Sequence, residues 1–183
     1  MIEITKTAIT DVFIITPRIY RDERGEFLET YRVNEFISVG IDLPFVQENH
    51  AGSQHGILRG LHYQIRQAQG KLIRVITGKI FDVAVDMRRS SETFGKSVGI
   101  LLDDEYKRQL WIPPGFAHGY YVLSEWAEVS YKVTDYYAPE WERTLLWNDP
   151  DLKIDWPLID GKTPILSEND LRGIIFKKAD TYE

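Results

Sequence analysis

Residues 56–64 read GILRGLHYQ. Apolar Ile57, Leu58, Leu61 and Tyr63 are interleaved with Arg59, His62 and Gln64, and Gly56 and Gly60 punctuate the run. Interleaving of this kind predicts a β-strand with one face in a core and the other carrying a guanidinium, an imidazole and an amide. A lone histidine is more often a satisfied core residue than a functional one. The case for a site at His62 therefore rests on the residues that join it.

Outward from this run, the chain after Pro44 keeps the same rhythm: FVQENHAGS, KLIRVITGKIFDVAVDMR, SVGILLDDE, RQLWIPPGFAHGYYVLS and AEVSYKVTDYY. Short alternating runs broken by Gly, Asp and Pro at close intervals indicate a sandwich or barrel rather than a βαβ sheet. The expected fold is mainly β, a jelly-roll double sheet with a few short helices and an irregular C-terminal segment. Thr77-Gly78-Lys79 is expected to form a hairpin turn between two of these strands, and Pro113-Pro114-Gly115 a tight turn.

Toward the N-terminus, residues 2–16 suggest one or two short strands, 17–25 a polar turn-rich loop and 26–32 an extended piece. A short helix is predicted over 33–39, with Asn34 as N-cap and Gly40 as its end. Beyond Pro139 the pattern loosens, and Trp141, Trp147 and Trp156 suggest a segment packing over the barrel through its aromatics. Ser167 to Arg172 (SENDLR) carries a helix N-cap signature, with Ser167 as cap and Asp170 in the first turn. No internal repeat or low-complexity linker is visible, and residues 1–183 read as a single domain.

Composition narrows the function. A net charge of -6 over 183 residues argues against a general grip on nucleic acid, which needs a clustered basic face. The absence of cysteine removes disulfide and thiolate chemistry, so cytoplasm is the default compartment. The alternating N-terminus lacks the features of a signal peptide, and no apolar run approaches the length of a membrane span.

The chain has 4 histidines, His50, His55, His62 and His118. A metal site of the cupin kind typically opens with two histidines two residues apart, and here the second position is Gln64, a poor ligand for a transition metal. No serine sits in a strained elbow and no glycine-rich loop opens a helix, which leaves nucleophilic and P-loop chemistry without support. What remains is organic: Arg59, His62, Lys71, His118 and Tyr131 all fall on predicted strands that could face one barrel mouth. Imidazole, ammonium and phenol make an acid–base set. Taken singly, Lys71 and Tyr131 are equally well read as ordinary strand residues.

Together, RGEFLETY, FVQENHAGS, GILRGLHYQ, LWIPPGFAHGYYVLS, YKVTDYYAPEWE, LLWNDP, IDWP and LSEND resemble the dTDP-4-dehydrorhamnose 3,5-epimerases over roughly residues 10 to 172. The resemblance implies a cupin-type jelly roll, a homodimer, no metal or cofactor, and a dTDP-4-keto-6-deoxyhexose substrate. It implies neither a nucleic-acid nor a membrane partner. By the same resemblance His62 is the base, Asp170 its orienting carboxylate, Tyr131 the acid, and Lys71 the stabiliser of charge developing on the C4 oxygen. Substrate-binding roles fall to Arg24, Glu29, Gln47, Glu48, Asn49, Arg59, His118, Glu142 and Asn169. Arg59 suits the pyrophosphate, and one aromatic of Tyr136 and Tyr137, with Tyr137 favoured, is expected to stack on the thymine. Glu26, Tyr120 and Asn169 depart from the residues usual in the family. Rival readings are a single-site C3 or C5 epimerase, a sugar-nucleotide ketoisomerase, a metal-dependent cupin and a cupin-like binding module that does no chemistry.

Overall fold

In a computed structural model residues 2–183 are described, and Met1 lies outside them. Among these residues the architecture is the expected mainly β double sheet. One sheet has the order β1 (Glu3–Lys6), β2 (Phe13–Thr16), β10 (Gln109–Ile112), β7 (Lys71–Thr77), β12 (Trp126–Val133) and β5 (Gln47–Gln54). The other runs β13 (Glu142–Thr144), β6 (Leu58–Gln64), β11 (Phe116–Val122), β8 (Lys79–Asp86) and β9 (Ser97–Asp103). Pairing within both is antiparallel.

The core follows from strand alternation. Ile73, Val75, Leu110 and Val129 of the first sheet meet Ile80, Ala84, Leu102, Phe116 and Tyr120 of the second in one buried cluster. The opposite face of the second sheet, with Val83, Val85, Tyr63 and Tyr121, is covered by the irregular C-terminal segment through Leu145, Leu152 and Trp156. Trp147 and Trp156 pack as expected of this segment, with Trp156 also donating from its indole to the Trp147 carbonyl at 2.8 Å, whereas Trp141 lies outside this cluster with the Arg66 guanidinium over its ring. The outer face of the first sheet is covered by helix α1 (Val33–Ser38), whose Phe36 packs with Ile15, Leu72 and Trp111. Burying one such phenyl contributes about 2–3 kcal/mol.

Three local expectations change. Asn34 does not cap α1: the N-cap is Arg32, without a side-chain bond, and Asn34 lies inside the first turn accepting from the Glu35 N–H. Gly40 does follow the helix, at φ 93° and with its N–H on the Ile37 carbonyl. Thr77-Gly78-Lys79 is not a hairpin, because β7 and β8 lie in different sheets and the turn carries the chain across the sandwich. Gly78 permits that corner with φ 86°, and a Cβ there would collide with the Trp126 carbonyl. The stretch 17–25, expected as a loop, instead contains β3 (Ile19–Asp22), paired with β4 (Gly25–Leu28) in a separate two-stranded sheet. Its charged, exposed residues hide the alternation that would mark it.

Candidate active site

A cavity of about 580 Å³ opens between the sheets, its walls drawn from β5, β6, β7, β11 and β12 and from the segment around Ser167. The central strand of the site is β6, and strict alternation alone would put Arg59 and His62 on opposite faces, since they stand three positions apart. A bulge removes the conflict: His118 pairs with His62, but Tyr120 pairs with Arg59, so the two strands advance by unequal numbers of residues. Gly60, at φ 125°, sits at the irregularity against Gly119. Arg59, His62 and Gln64 thereby all line the cavity.

His62 is joined by Asp170 from α2 (Glu168–Leu171), the helix anticipated from SENDLR. The ring Nε2 lies 2.6 Å from Asp170 Oδ1. Asp170 is buried at 2% exposure and its second oxygen accepts from the Ser167 hydroxyl at 2.7 Å, within a reciprocal capping box. Burial pushes this carboxyl up, but hydrogen bonds from His62, Ser167 and the Gly60 N–H more than offset that and hold it below the usual range. It is therefore an anion at neutral pH. Asp170, the N3 member of that capping box, thus serves two ends, closing a helix and hydrogen-bonding an imidazole.

Tyr131 reaches the same cavity from β12 of the opposite sheet. Burial raises its phenol above the ordinary value, with the Arg59 guanidinium pulling the other way. Lys71, at the start of β7, is buried at 7% exposure, and desolvation lowers its ammonium to about 8 despite the negative charges of Asp82 and Glu142. The site therefore brings together an imidazole on a carboxylate, a protonated phenol and an ammonium that titrates near neutrality.

His118 adds a second dyad. Its Nε2 lies 2.9 Å from both oxygens of Asp82, a residue with no exposure. Asp82 was not among the expected site residues. Its signal was present in IFDVAVD, where a carboxylate alternates with Ile80 and Ala84 on the core-facing side of β8 and would be costly there without a partner.

Of the expected binding residues, Gln47, Asn49, Arg59, His118, Tyr137 and Glu142 line the cavity. Arg59 is held by its Nε on Ser53 Oγ at 2.9 Å, and Tyr137 donates its hydroxyl to Glu142 at 3.0 Å. Arg24, Glu29, Glu48 and Asn169 do not line this cavity; Glu29 instead lines a separate hollow with Arg18, Tyr20, Phe27 and Arg32. Glu48 points to the other face of β5, where Ser130 and Lys132 donate to it at 2.7 and 2.6 Å, and the Lys132 contact leads in holding its carboxyl low. Asn169 is exposed on α2. Arg24 sits at the β3–β4 tip, bound to Asp22, and Glu29 follows β4 and pairs with Arg32. Among the described residues no group of three or more His, Asp or Glu side chains is set as a metal ligand cluster, and no helix is long and apolar enough to cross a membrane.

Residues 6–178 match the family model described as dTDP-4-dehydrorhamnose 3,5-epimerase. A protein of that name from Pseudomonas aeruginosa is 57% identical over 179 residues, covering 97% of this chain and 98% of the relative. The crystal structure of a dTDP-6-deoxy-D-glucose-3,5-epimerase from Legionella pneumophila, in complex with dTDP-4-keto-L-rhamnose, superposes with TM-score 0.95 at 50% identity, covering 98% of this chain and 95% of that one. A 3'-monoepimerase from Streptomyces bikiniensis, in complex with dTDP-quinovose, superposes with TM-score 0.87 at 33% identity, covering 94% and 87%. The sheet order, the cavity and these likenesses over nearly the full length agree, and the chain belongs to the dTDP-4-dehydrorhamnose 3,5-epimerase family.

Proposed function

We propose that this chain, acting as one domain of 183 residues, inverts C3 and C5 of dTDP-4-dehydro-6-deoxy-D-glucose to give dTDP-4-dehydro-L-rhamnose, without a cofactor. The observation that carries the reading is His62 on one sheet, paired with Asp170 of α2, and Tyr131 on the other sheet, lining one cavity with Lys71. Protons on carbons flanking the C4 ketone are weakly acidic, and removing one leaves an enolate whose charge falls on the C4 oxygen. His62 takes the proton through the ring nitrogen not engaged by Asp170. Asp170 holds the tautomer and stabilises the imidazolium. The Lys71 ammonium offsets the enolate charge, and Tyr131 returns a proton to the opposite face. Inversion requires donor and acceptor on opposite sides of the ring, which two facing sheets supply.

Arg59 takes the pyrophosphate and Tyr137 the thymine in this reading. Arg24 and Glu29, absent from the lining of the cavity that holds His62, take part only through a second copy, as a homodimer would allow. The exposed Phe27 and Tyr20 on the same two strands, at 71% and 51%, support a protein partner there. Absence of cysteine supports a cytoplasmic setting.

Turnover in heavy water tests the assignment: deuterium is expected at both C3 and C5 of the product. Label at one carbon alone makes the chain a monoepimerase like the Streptomyces bikiniensis protein, and label at neither overturns the enolate mechanism. A carbonyl moved along the ring, seen by NMR, would make it a ketoisomerase.

A further inference from the structure

Gln64 occupies the position where a metal-binding cupin would carry its second histidine, and its side chain has another task. The residue is buried at 4% exposure. Its amide Nε2 donates to the Gln67 carbonyl at 2.7 Å and to the Tyr136 carbonyl at 3.2 Å, and its Oε1 accepts from the Ala138 N–H at 2.9 Å. Two of these three bonds straddle Tyr137. They hold the peptide unit that precedes it and the one that follows it. A third bond completes the set: the Tyr137 N–H donates to Gln47 Oε1 at 3.1 Å.

Tyr137 needs this support because its own ring has little packing. It is 52% exposed, on an irregular stretch after β12, and its side-chain hydrogen bond goes to Glu142 at the cavity wall. With both neighbouring peptide planes fixed, its backbone dihedrals are fixed, and so is the direction in which the ring leaves the chain. We infer that Gln64 is a positioning residue for Tyr137: its primary amide clamps the main chain on both sides of that tyrosine and sets the aromatic wall of the nucleotide end of the cavity before ligand arrives.

The residue type follows from the bonds. A clamp of one carbonyl and one N–H requires donor and acceptor on the same short group, which a primary amide provides and a carboxylate, thioether or aliphatic chain does not. Asparagine carries the amide but is one methylene short. The clamp also ties nucleotide binding to the catalytic strand, because Gln64 lies two residues from His62 on β6. The Gln64 carbonyl meanwhile accepts from the Tyr182 hydroxyl at 2.5 Å, anchoring the end of that strand from the C-terminal tail.

The inference rests on the proposed role of Tyr137 as the thymine platform, and the experiment separates the two. Affinity for dTDP alone is measured by calorimetry for Gln64→Met, Gln64→Glu, Tyr137→Ala and the double variant Gln64→Met/Tyr137→Ala, together with kcat and KM on the keto sugar nucleotide. Gln64→Met is expected to weaken dTDP binding about tenfold and raise KM to match, while kcat stays within about threefold, since freeing a platform costs mainly binding. In the double variant the effects are non-additive, with affinity close to that of Tyr137→Ala alone. Gln64→Glu, which retains the shape, is expected to bind dTDP better at pH 5 than at pH 8 relative to the parent at the same pH, because only its protonated carboxyl can donate to a main-chain carbonyl. Should the methionine variant not fold, this pH dependence decides the question, and its absence overturns the inference. If Tyr137→Ala weakens dTDP but both Gln64 variants bind as the parent does, the clamp is wrong and the platform stands. If Tyr137→Ala changes nothing, the platform reading itself fails and takes the clamp's functional role with it.

Discussion

His62 Nε2 and Asp170 Oδ1 stand 2.6 Å apart although 108 residues separate them in the chain. The carboxylate is delivered by a single turn of helix whose cap is closed by Ser167. Replacing Asp170 with Asn keeps the volume and removes the charge. The expected result is a fall in kcat of on the order of 10² or more with KM little altered, as for orienting carboxylates elsewhere. Steady-state kinetics with a thermal melt, to confirm that the capping box survives, checks this.

Lys71 combines burial with a proposed role that needs its charge. Because desolvation brings its ammonium to about 8, the working cation is lost as pH rises through that value, and kcat/KM is expected to decline above about pH 8. Stability has the opposite sign. The unfolded lysine, near its ordinary 10.5, binds more protons than the folded one between about 8 and 10.5, so folding stability rises with pH across that window. Below it the buried charge costs up to about 3 kcal/mol, from 1.36 kcal/mol per pH unit. Lys71→Met is therefore expected to be inactive and more stable than the parent at pH 7 in chemical denaturation.

Burial raises the Tyr131 phenol above its ordinary value, and in the proposed mechanism this residue is the acid of the second half-reaction. Tyr131→Phe is expected to suppress inversion more than it suppresses exchange of the substrate's acidic protons with solvent, since His62 can still remove and return a proton on its own side. Proton NMR in heavy water reads both rates from one sample, and equal loss of both would contradict the role as acid.

Gly60 carries the bulge on which the site depends. Its φ of 125° is reached readily by glycine, and a Cβ there would stand 2.5 Å from Gly119 Cα. Gly60→Ala is expected to cost about 3 kcal/mol or more from backbone strain and overpacking together. Activity should drop beyond what the lost stability explains, because the shift in register that places Arg59 beside His62 is disturbed. Denaturant melts and kinetics below the transition separate the two effects.

Much of the β architecture was legible because alternation records which side of a strand meets a core. The runs around His62, Lys71, His118 and Tyr131 kept their polar residues against an apolar background, and SENDLR announced a helix start, while the pairing of its Asp170 with His62 came from the family resemblance alone. The β3–β4 strands were not legible, since both of their faces meet solvent and alternation has nothing to register. Nor was the corner at Gly78 distinguishable from a hairpin, because the same residues suit both and only the pairing partners of β7 and β8 decide.

The site divides in the same way. The sequence by itself determined the chemical inventory: a strand carrying guanidinium, imidazole and amide, with a lysine, a phenol and a second histidine on other strands. Tertiary structure decided which groups meet. It placed Asp82 under His118, left Glu48 on the outer face of β5, kept Arg24 and Glu29 out of the lining of the cavity that holds His62, and turned Gln64 to the main chain around Tyr137. It also put Arg59 and His62 on one face through a bulge that strict alternation would forbid. The physical reason is that side-chain identity fixes what a group can do, whereas proximity depends on register and on sheet-to-sheet crossing. Both are set by long-range packing that no short stretch of sequence encodes.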